Sequence, residues 1–249
     1  AGETKAAFSR QSTGVSQGYG LSELSPITHF DIRGVYEMMV GDAADGDDAG
    51  LDRPTIGVPV PDTDVKLVDV DSGEEIPMRR AVEEDLAGEL YLDGPQRMLG
   101  YLDGEGAAFD DDGFVATGDV VRVDERGRFY VVDRVKDMIN VSGLKVCSEE
   151  VDEVLYGLEG VRRPATVGVP DPDRPGSERV KVYVEPEPGH EADLTAEDVR
   201  SHLDGQVPDH AMPAAVEFVD ELPLTDVGKT DKKRLRERHD AATGAGEAR

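Results

Sequence analysis

Residues 133–145 read DRVKDMINVSGLK, and this stretch predicts where one domain ends and another begins. Val131 and Val132 complete an apolar strand just before it, and four of the five residues 133–137 are charged. A second apolar run follows, and residues 148–151 (SEEV) are typical of a helix start. A charged break between two strands buries little and can act as a pivot, but an ordinary polar turn has the same composition. The motifs on either side therefore decide the interpretation.

Size and charge restrict the class of protein. The 249 residues suffice for one large or two ordinary domains. The 54 acidic residues outnumber the 27 basic ones, which gives a formal net charge of −27. Such a field repels nucleic acids and anionic membranes, so we expect no nucleic-acid partner. Because the acids are spread along the chain, the composition favours a halophilic protein, whose self-repulsion is screened in high salt. A merely acidic cytosolic protein is the alternative.

Cysteine content and hydropathy restrict the class of protein further. Cys147 is the only cysteine, which excludes an internal disulfide and a thiolate metal cluster, and we expect it to be a packing residue. No apolar run approaches the roughly 18 residues of a membrane span, and residues 1–10 lack the apolar core of a signal peptide. We therefore expect a cytoplasmic protein without a membrane span. The chain does not begin with Met, and we expect it to be the back part of a longer protein.

Before the hinge, residues 56–133 are predicted to be mostly β. Strands are expected around residues 65–70 and 89–92 and in a hairpin at 121–132, each bounded by Gly, Pro or Asp. Residues 41–54 have the composition of a solvated loop, and they fail as a calcium loop because apolar residues fall at two ligand positions.

After the hinge, helices and strands alternate. Thr195 and Asp198 are predicted to form a capping box at the start of a helix. The predicted helices cover residues 149–158, 196–203 and 232–238, and the predicted strands cover residues 165–169, 179–184 and 216–219.

These patterns predict a fold class and its divisions. Residues 1–133 are expected to be an α/β large-domain fragment whose C-terminal part is β-rich. Residues 134–137 form the predicted hinge, and residues 138–239 a small α+β C-terminal domain of ordinary size. The small, polar residues 240–249 are expected to be a disordered tail.

Four motifs occur in order along the chain: YGLSE at 19–23, ATGD at 116–119, DRVKDMINVSG at 133–143 and PLTDVGK at 223–229. A further segment, GELYLDGPQRMLGY, occupies residues 88–101. Together they resemble the adenylate-forming superfamily, which includes acyl-CoA synthetases, non-ribosomal peptide adenylation domains and firefly luciferase. One departure is an alanine at the first position of ATGD, where the family has Ser.

The resemblance implies a two-step reaction. A carboxylic acid first reacts with ATP, with the help of Mg²⁺, to give an acyl-adenylate and pyrophosphate. The thiol of CoA then attacks the acyl carbon and releases AMP. ATP, Mg²⁺, CoA and a carboxylic acid are therefore the implied cofactors and substrates.

The first motif carries four of the implied site residues. Tyr19, with Gly20 beside it, lies against the adenine, where a flat aromatic face suits a flat base. Ser22 donates a hydrogen bond to the α-phosphate. Glu23 holds Mg²⁺, a hard cation that favours carboxylate oxygen.

The later motifs carry the others. By resemblance, Asp119 accepts hydrogen bonds from the ribose hydroxyls, and Arg134 meets the nucleotide near the ribose and phosphate. Lys229 spans the substrate carboxylate and the α-phosphate and offsets the charge that develops there. Lys136 is the hinge residue, and Gly143 borders the channel of the incoming CoA thiol.

Each residue also has an ordinary interpretation. Outside the motif order, Tyr19 is a turn residue and the charged residues are simply solvated. Gly143 beside a strand is also typical of a turn or bulge. His29, just after the first motif, either lines the acyl pocket or is an ordinary loop residue.

The resemblance covers residues 15–238 and stops upstream of them. The family's Ser/Thr/Gly-rich phosphate loop with its lysine should precede Tyr19, and residues 1–18 contain no such segment. We therefore expect a fragment that is inactive alone, or one half of a split ligase completed by an upstream polypeptide. A non-catalytic nucleotide-binding or interaction remnant is the alternative from another class.

Within the family, the sequence favours an acyl-CoA synthetase of the fatty-acid type. The segments that resemble this branch are YGLSELSPITH at 19–29, GVPD at 168–171 and ERVK at 178–181. No carrier-domain motif follows Arg238, which counts against a peptide synthetase module. A shorter aliphatic acid or an aryl acid stays open.

Overall fold

The computed structural model describes residues 17–31, 55–102, 109–190, 194–226 and 228–243. The chain divides into two compact units, residues 1–135 and 136–249, and the division falls inside the stretch 134–137 predicted as a hinge. The predicted loop at 41–54, including the rejected calcium loop, and residues 244–249 of the predicted tail lie outside the described residues.

In the described residues, the first unit forms two antiparallel sheets. The smaller sheet joins, in this order, β1 (Gly18–Tyr19), β2 (His29–Phe30) and β3 (Val58–Pro59). The strands of the larger sheet are β4 (Asp64–Val68), β5 (Glu75–Ile76), β6 (Gly88–Asp93), β7 (Val115–Val123) and β8 (Phe129–Arg134). Their order is β5-β4-β6-β7-β8, so β6 and β7 lie in its interior.

Strand β6 shows why this sequence forms a sheet with one buried face. Leu90 and Leu92 are fully buried, while Glu89 and Tyr91 point to the opposite, half-exposed face. This period of two is that of a strand covered on one side. The buried face packs with side chains from β4, β7 and β8 into one core, which includes Leu67, Val121 and Phe129.

Helix α1 (Met78–Glu83) departs from the mostly β prediction for residues 56–133. Its six residues are too short to show a helical period in the sequence, but Ala81 is fully buried. Arg79 and Arg80 each bond the glutamate four residues later, at 2.7 Å and 3.1 Å, a spacing that stabilises a helix.

The second unit combines a hairpin, a mixed sheet and helices. Strands β9 (Ile139–Val141) and β10 (Leu144–Val146) form the hairpin. Strand β11 (Val161–Pro170) pairs antiparallel with β12 (Glu178–Pro186), which pairs parallel with β13 (Ala215–Phe218). The helices are α2 (Ser148–Leu155), α3 (Ala196–Leu203) and α4 (Lys232–Thr243). The predicted fold class, a β-rich α/β part followed by a small α+β part, is confirmed.

The helix ends test the local predictions. The capping box of α3 is confirmed, because Thr195 Oγ1 accepts the backbone N–H of Asp198 at 3.2 Å and the Asp198 carboxylate accepts the N–H of Thr195 at 2.9 Å. Helix α2 ends at Leu155, three residues before the predicted end. Helix α4 continues to Thr243, so residues 240–243 are helical and the predicted tail was wrong there. Two alanines, strong helix formers, lie in that last turn.

No helix in the described ranges is long and apolar enough to cross a membrane.

Candidate functional site

Asp119 lies in a distorted part of β7. Ala116 pairs with Tyr91 and Val120 with Glu89, so residues 117–119 stand opposite the single residue Leu90 of β6. A second shift, toward β8, falls between Val120 and Val121. Such bulges turn side chains out of the regular alternation of a strand. The distortion therefore determines the direction of the Asp119 carboxylate.

Side chains replace the backbone bonds that this bulge removes. The Thr117 hydroxyl donates to the Leu90 carbonyl at 2.8 Å and accepts the backbone N–H of Asp119 at 3.1 Å. Gly118 has a φ of +71°, which favours glycine, and its backbone N–H donates to Glu89 Oε1 at 3.1 Å. The Thr-Gly-Asp sequence thus folds locally into a braced turn within the strand.

The Asp119 carboxylate joins two other predicted nucleotide-binding residues, Tyr19 and Arg134. The Tyr19 hydroxyl donates to Asp119 Oδ2 at 2.6 Å, and Arg134 Nε donates to Asp119 Oδ1 at 2.9 Å. Burial, followed by the Asp119 charge, raises the pKa of Tyr19 well above its ordinary value, so its hydroxyl stays a donor. Each carboxylate oxygen has further lone-pair capacity for another donor. A compact polar cluster with a half-exposed guanidinium results.

The first motif continues into a tight turn. A Cβ at Gly20 would lie 1.5 Å from the carbonyl oxygen of Pro26, so only glycine fits there. Ser22 and Glu23 begin the 3₁₀ turn Ser22–Leu24, which is fixed by the fully buried side chain of Leu24. Ser22 is exposed.

Glu23 is held by the segment 88–101. Its backbone carbonyl accepts the N–H of Met98 at 2.8 Å, and its carboxylate accepts a hydrogen bond from the Tyr101 hydroxyl. The resemblance marked this segment without assigning Tyr101 a role. Within the described residues no three His, Cys, Asp or Glu side chains form a metal cluster. A single carboxylate suits Mg²⁺, which keeps several waters and also binds substrate phosphates.

His29 is a strand residue, so its interpretation as an ordinary loop residue is wrong. The side chain is fully buried in β2, with its ring centroid 4.7 Å from that of Phe129. Nδ1 lies 3.1 Å from the Thr28 hydroxyl, and Nε2 has no hydrogen-bond partner among the described residues. Burial lowers the pKa of His29 to about 4, so the ring is neutral at physiological pH.

In the second unit, Gly143 lies in the turn of the β9–β10 hairpin. Its φ is +89°, and its N–H donates to Asn140 Oδ1 at 2.9 Å. A Cβ built at this position meets no described atom within 4 Å, so the backbone conformation rather than crowding within this unit favours glycine. The preceding Ser142 accepts a hydrogen bond from Arg174 at 2.7 Å.

Lys229 is presented by a closed loop. Thr225 N donates to the Lys229 carbonyl at 2.7 Å, and Lys229 N donates to Thr225 Oγ1 at 3.2 Å. The side chain itself is exposed. Lys136, in the 3₁₀ turn Val135–Asp137, is exposed as well.

Lys232, three residues after Lys229, lies outside the four motifs and had no predicted role. Its ammonium lies 2.9 Å from Ser148 Oγ, 2.8 Å from Glu149 Oε1 and 3.1 Å from Asp152 Oδ2, and it joins α4 to α2. This buried pairing anchors the helix that directly follows the Lys229 loop. A lysine next to a loop gives no sequence signal that separates it from its solvated neighbours.

Two family models match the chain. A model described as AMP-binding enzyme matches residues 2–102, and one described as AMP-binding enzyme C-terminal domain matches residues 150–229.

Curated relatives and solved structures match over most of the chain. A long-chain-fatty-acid–CoA ligase of Yersinia pestis is 38% identical over 226 residues, which is 89% of this chain and 35% of the relative. A salicylyl-CoA synthase / salicylate adenylyltransferase of a Streptomyces species is 41% identical over 198 residues, 78% of this chain and 34% of that protein. The structure of ATP-bound MatB from Rhodopseudomonas palustris superposes on this chain with a TM-score of 0.76 at 28% identity. The superposition covers 97% of this chain and 44% of MatB. The chain therefore spans about a third of the length of these curated relatives.

Proposed function

Because the chain belongs to the AMP-binding enzyme family, we propose that it serves an AMP-forming acyl-CoA synthetase of the fatty-acid type. The reaction would adenylate a carboxylic acid with ATP and then transfer the acyl group to CoA. The observation that carries this proposal is the cluster of Tyr19, Asp119 and Arg134, which converge from distant parts of the sequence.

The cluster suits the sugar of a nucleotide. The Asp119 carboxylate is already oriented by two donors, and its remaining lone pairs can accept the 2′- and 3′-hydroxyls of a ribose. The half-exposed Arg134 guanidinium would supply further donors next to it, for the ribose and a phosphate. Tyr19, held by its own hydroxyl, is proposed to present its ring to the adenine.

The neighbouring turn suits the phosphate end. Ser22 would donate to the α-phosphate, and Glu23 would hold Mg²⁺, which neutralises phosphate charge during transfer. The Tyr101 hydroxyl bonds the Glu23 carboxylate and limits its rotation. Gly20 permits the tight turn that brings these residues next to Tyr19.

The second unit supplies the groups proposed for the two chemical steps. The exposed ammonium of Lys229 would offset charge during adenylation, and the hairpin turn at Gly143 would border the path of the CoA thiol. Lys136 is proposed as the pivot between the two steps. Residues 1–18 carry no Ser/Thr/Gly-rich phosphate loop with a lysine, and we propose that turnover also needs such a loop.

The acid is proposed to be a fatty acid, on the identity to long-chain-fatty-acid–CoA ligases over 89% of this chain. The salicylate-activating relative is more similar over a shorter region and favours an aryl acid as the second candidate. Measuring acyl-adenylate formation with palmitate and with salicylate, in an enzyme that also contains the phosphate loop, separates the fatty acid from the aryl acid.

The experiment that tests the site compares AMP with 2′-deoxy-AMP, by calorimetry, on the 249-residue chain. The wild type should prefer AMP by about tenfold, because one ribose hydroxyl bond to a charged acceptor is lost with the deoxy nucleotide. Asp119→Ala should bind both nucleotides weakly and equally. Asp64→Ala, an exposed carboxylate on β4 of the same sheet, is the matched control and should keep the preference. Equal affinity of the wild type for the two nucleotides would contradict the proposed site.

A further inference from the structure

Glu89 is the acidic side chain that completes the turn carrying Asp119. It lies on β6, on the half-exposed face, directly before the residue that stands opposite the β7 bulge. Its Oε1 accepts the backbone N–H of Gly118 at 3.1 Å. None of the functional roles assigned above includes it.

The bulge explains why a side-chain acceptor is needed there. Residues 117–119 stand opposite Leu90 alone, so Gly118 has no partner in the regular ladder between β6 and β7. The Thr117 hydroxyl satisfies the Leu90 carbonyl, and the Glu89 carboxylate satisfies the Gly118 N–H. A half-buried N–H without an acceptor costs free energy, so without Glu89 the backbone at Gly118 would shift toward another acceptor.

The bond between Glu89 and Gly118 affects the orientation of the neighbouring Asp119. Gly118 directly precedes Asp119, and its positive φ directs the chain so that the Asp119 carboxylate meets Tyr19 and Arg134. A Cβ at Gly118 would lie 4.0 Å from the Arg134 guanidinium, so the turn also borders the arginine. A change in the turn would therefore move the acceptor relative to both of its donors.

We infer that Glu89 is a positioning residue, which orients the ribose-binding Asp119 through the backbone of Gly118. This inference rests on the proposed function for the role of Asp119, but the bond between Glu89 and Gly118 is independent of it. Glu89 and Asp119 repel each other, so the negative charge of Glu89 does not favour this arrangement. The group required from Glu89 is an acceptor oxygen of the right reach, which glutamine also has.

The test compares Glu89→Ala, which removes the acceptor, with Glu89→Gln, which keeps one. Glu75→Ala and Glu75→Gln repeat the same chemical changes on β5 of the same sheet, at an exposed position. Two quantities are measured on the full chain: hydrogen exchange of the Gly118 amide by NMR, and the affinity ratio of AMP to 2′-deoxy-AMP.

Glu89→Ala should accelerate exchange of the Gly118 amide and reduce the preference for AMP by about tenfold, the effect of one displaced bond to a charged acceptor. Glu89→Gln should restore both quantities to within about threefold of the wild type, and both Glu75 variants should leave them unchanged. If Glu89→Gln restores both quantities while the two Glu89 variants have the same thermal stability, the effect of Glu89→Ala is one of positioning and not a general loss of folding.

Two outcomes overturn the inference: unchanged Gly118 exchange in Glu89→Ala, or an unchanged nucleotide preference in a variant whose Gly118 exchange is faster. A wild type that does not prefer AMP contradicts the proposed function instead, and the exchange of Gly118 then decides the Glu89 contact by itself.

Discussion

At the scale of single residues, the buried His29 is expected to make the stability of the first unit depend on pH. Its ring is fully buried against Phe129, and burial lowers its pKa from 6.5 to about 4. In the unfolded chain a histidine titrates near its ordinary value. Between these two values the unfolded state therefore binds a proton that the folded state does not bind.

This difference predicts a loss of stability in mild acid. The contribution of His29 is fully present above pH 6.5, and the free energy of unfolding should fall by about 1.4 kcal/mol per pH unit as the pH drops toward 4. Carboxylates also titrate in the lower part of this range, so the difference between wild type and His29→Leu isolates the histidine. Urea unfolding between pH 6.5 and 5.5 measures it.

Thr28→Val is the matched control, because it removes the hydroxyl beside Nδ1 and keeps the buried histidine. It should retain the wild-type slope with pH, whereas His29→Leu should be flatter. Parallel curves for wild type and His29→Leu would show that the pKa of His29 is the same in the folded and unfolded states, which would contradict its burial.

At the scale of elements, the junction of α2 and α4 depends on one buried ion pair. Lys232 and Asp152 have side chains only 9% and 7% exposed, and their charged atoms are 3.1 Å apart. Burial raises the pKa of the Asp152 carboxyl, and the lysine charge opposes that effect. The pair fixes the start of α4, and with it the end of the loop that carries Lys229.

Lys232→Met should therefore lower the free energy of unfolding of the second unit by about 3–5 kcal/mol, because it leaves a buried carboxylate without its partner. The double variant Lys232→Met with Asp152→Leu should be more stable than Lys232→Met alone, since both charges are gone. Urea denaturation of the wild type, Lys232→Met, Asp152→Leu and the double variant completes the cycle. If the losses in unfolding free energy of the two single variants add up to the loss in the double variant, the two residues do not interact.

The elements also show how far the sequence predicted the fold. Strand β6 was predicted from a short run of residues ended by Gly94 and Pro95, and helix α3 from its capping box of two polar residues three apart. The β7 bulge did not follow, because it depends on which residue of β6 faces which residue of β7. A glycine inside an apolar strand was the available signal for it. The last turn of α4 was missed because small residues were interpreted as a tail.

The same limit applies to the candidate site. Motif order predicted Tyr19, Asp119 and Arg134 one by one, by resemblance. That the tyrosine bonds the aspartate across 100 residues of sequence depends on how the small and large sheets of the first unit pack, which no local pattern encodes. Glu89 and Lys232 were missed for this reason too, since each acts through a partner distant in sequence.

At the scale of the whole molecule, the proposed chemistry is divided between the two units. The residues proposed for nucleotide binding lie in residues 1–135, and Lys229 and Gly143 lie in residues 136–249. Adenylation would need Lys229 at the nucleotide, and thioester formation would need the Gly143 turn instead. Each of the two proposed steps therefore has its own residue in the second unit, and Lys136 is the proposed pivot.

The measurement that tests this claim most directly is single-turnover kinetics of each half-reaction, in the enzyme completed by a polypeptide that supplies the phosphate loop. Lys229→Ala should slow acyl-adenylate formation by roughly two to three orders of magnitude, the cost of one lost electrostatic contact, and should spare transfer to CoA from a supplied acyl-adenylate. Gly143→Leu should do the reverse, with Gly143→Ala as the control that shares the strain of a positive φ without the bulk. Equal damage to both half-reactions by Lys229→Ala would contradict the account.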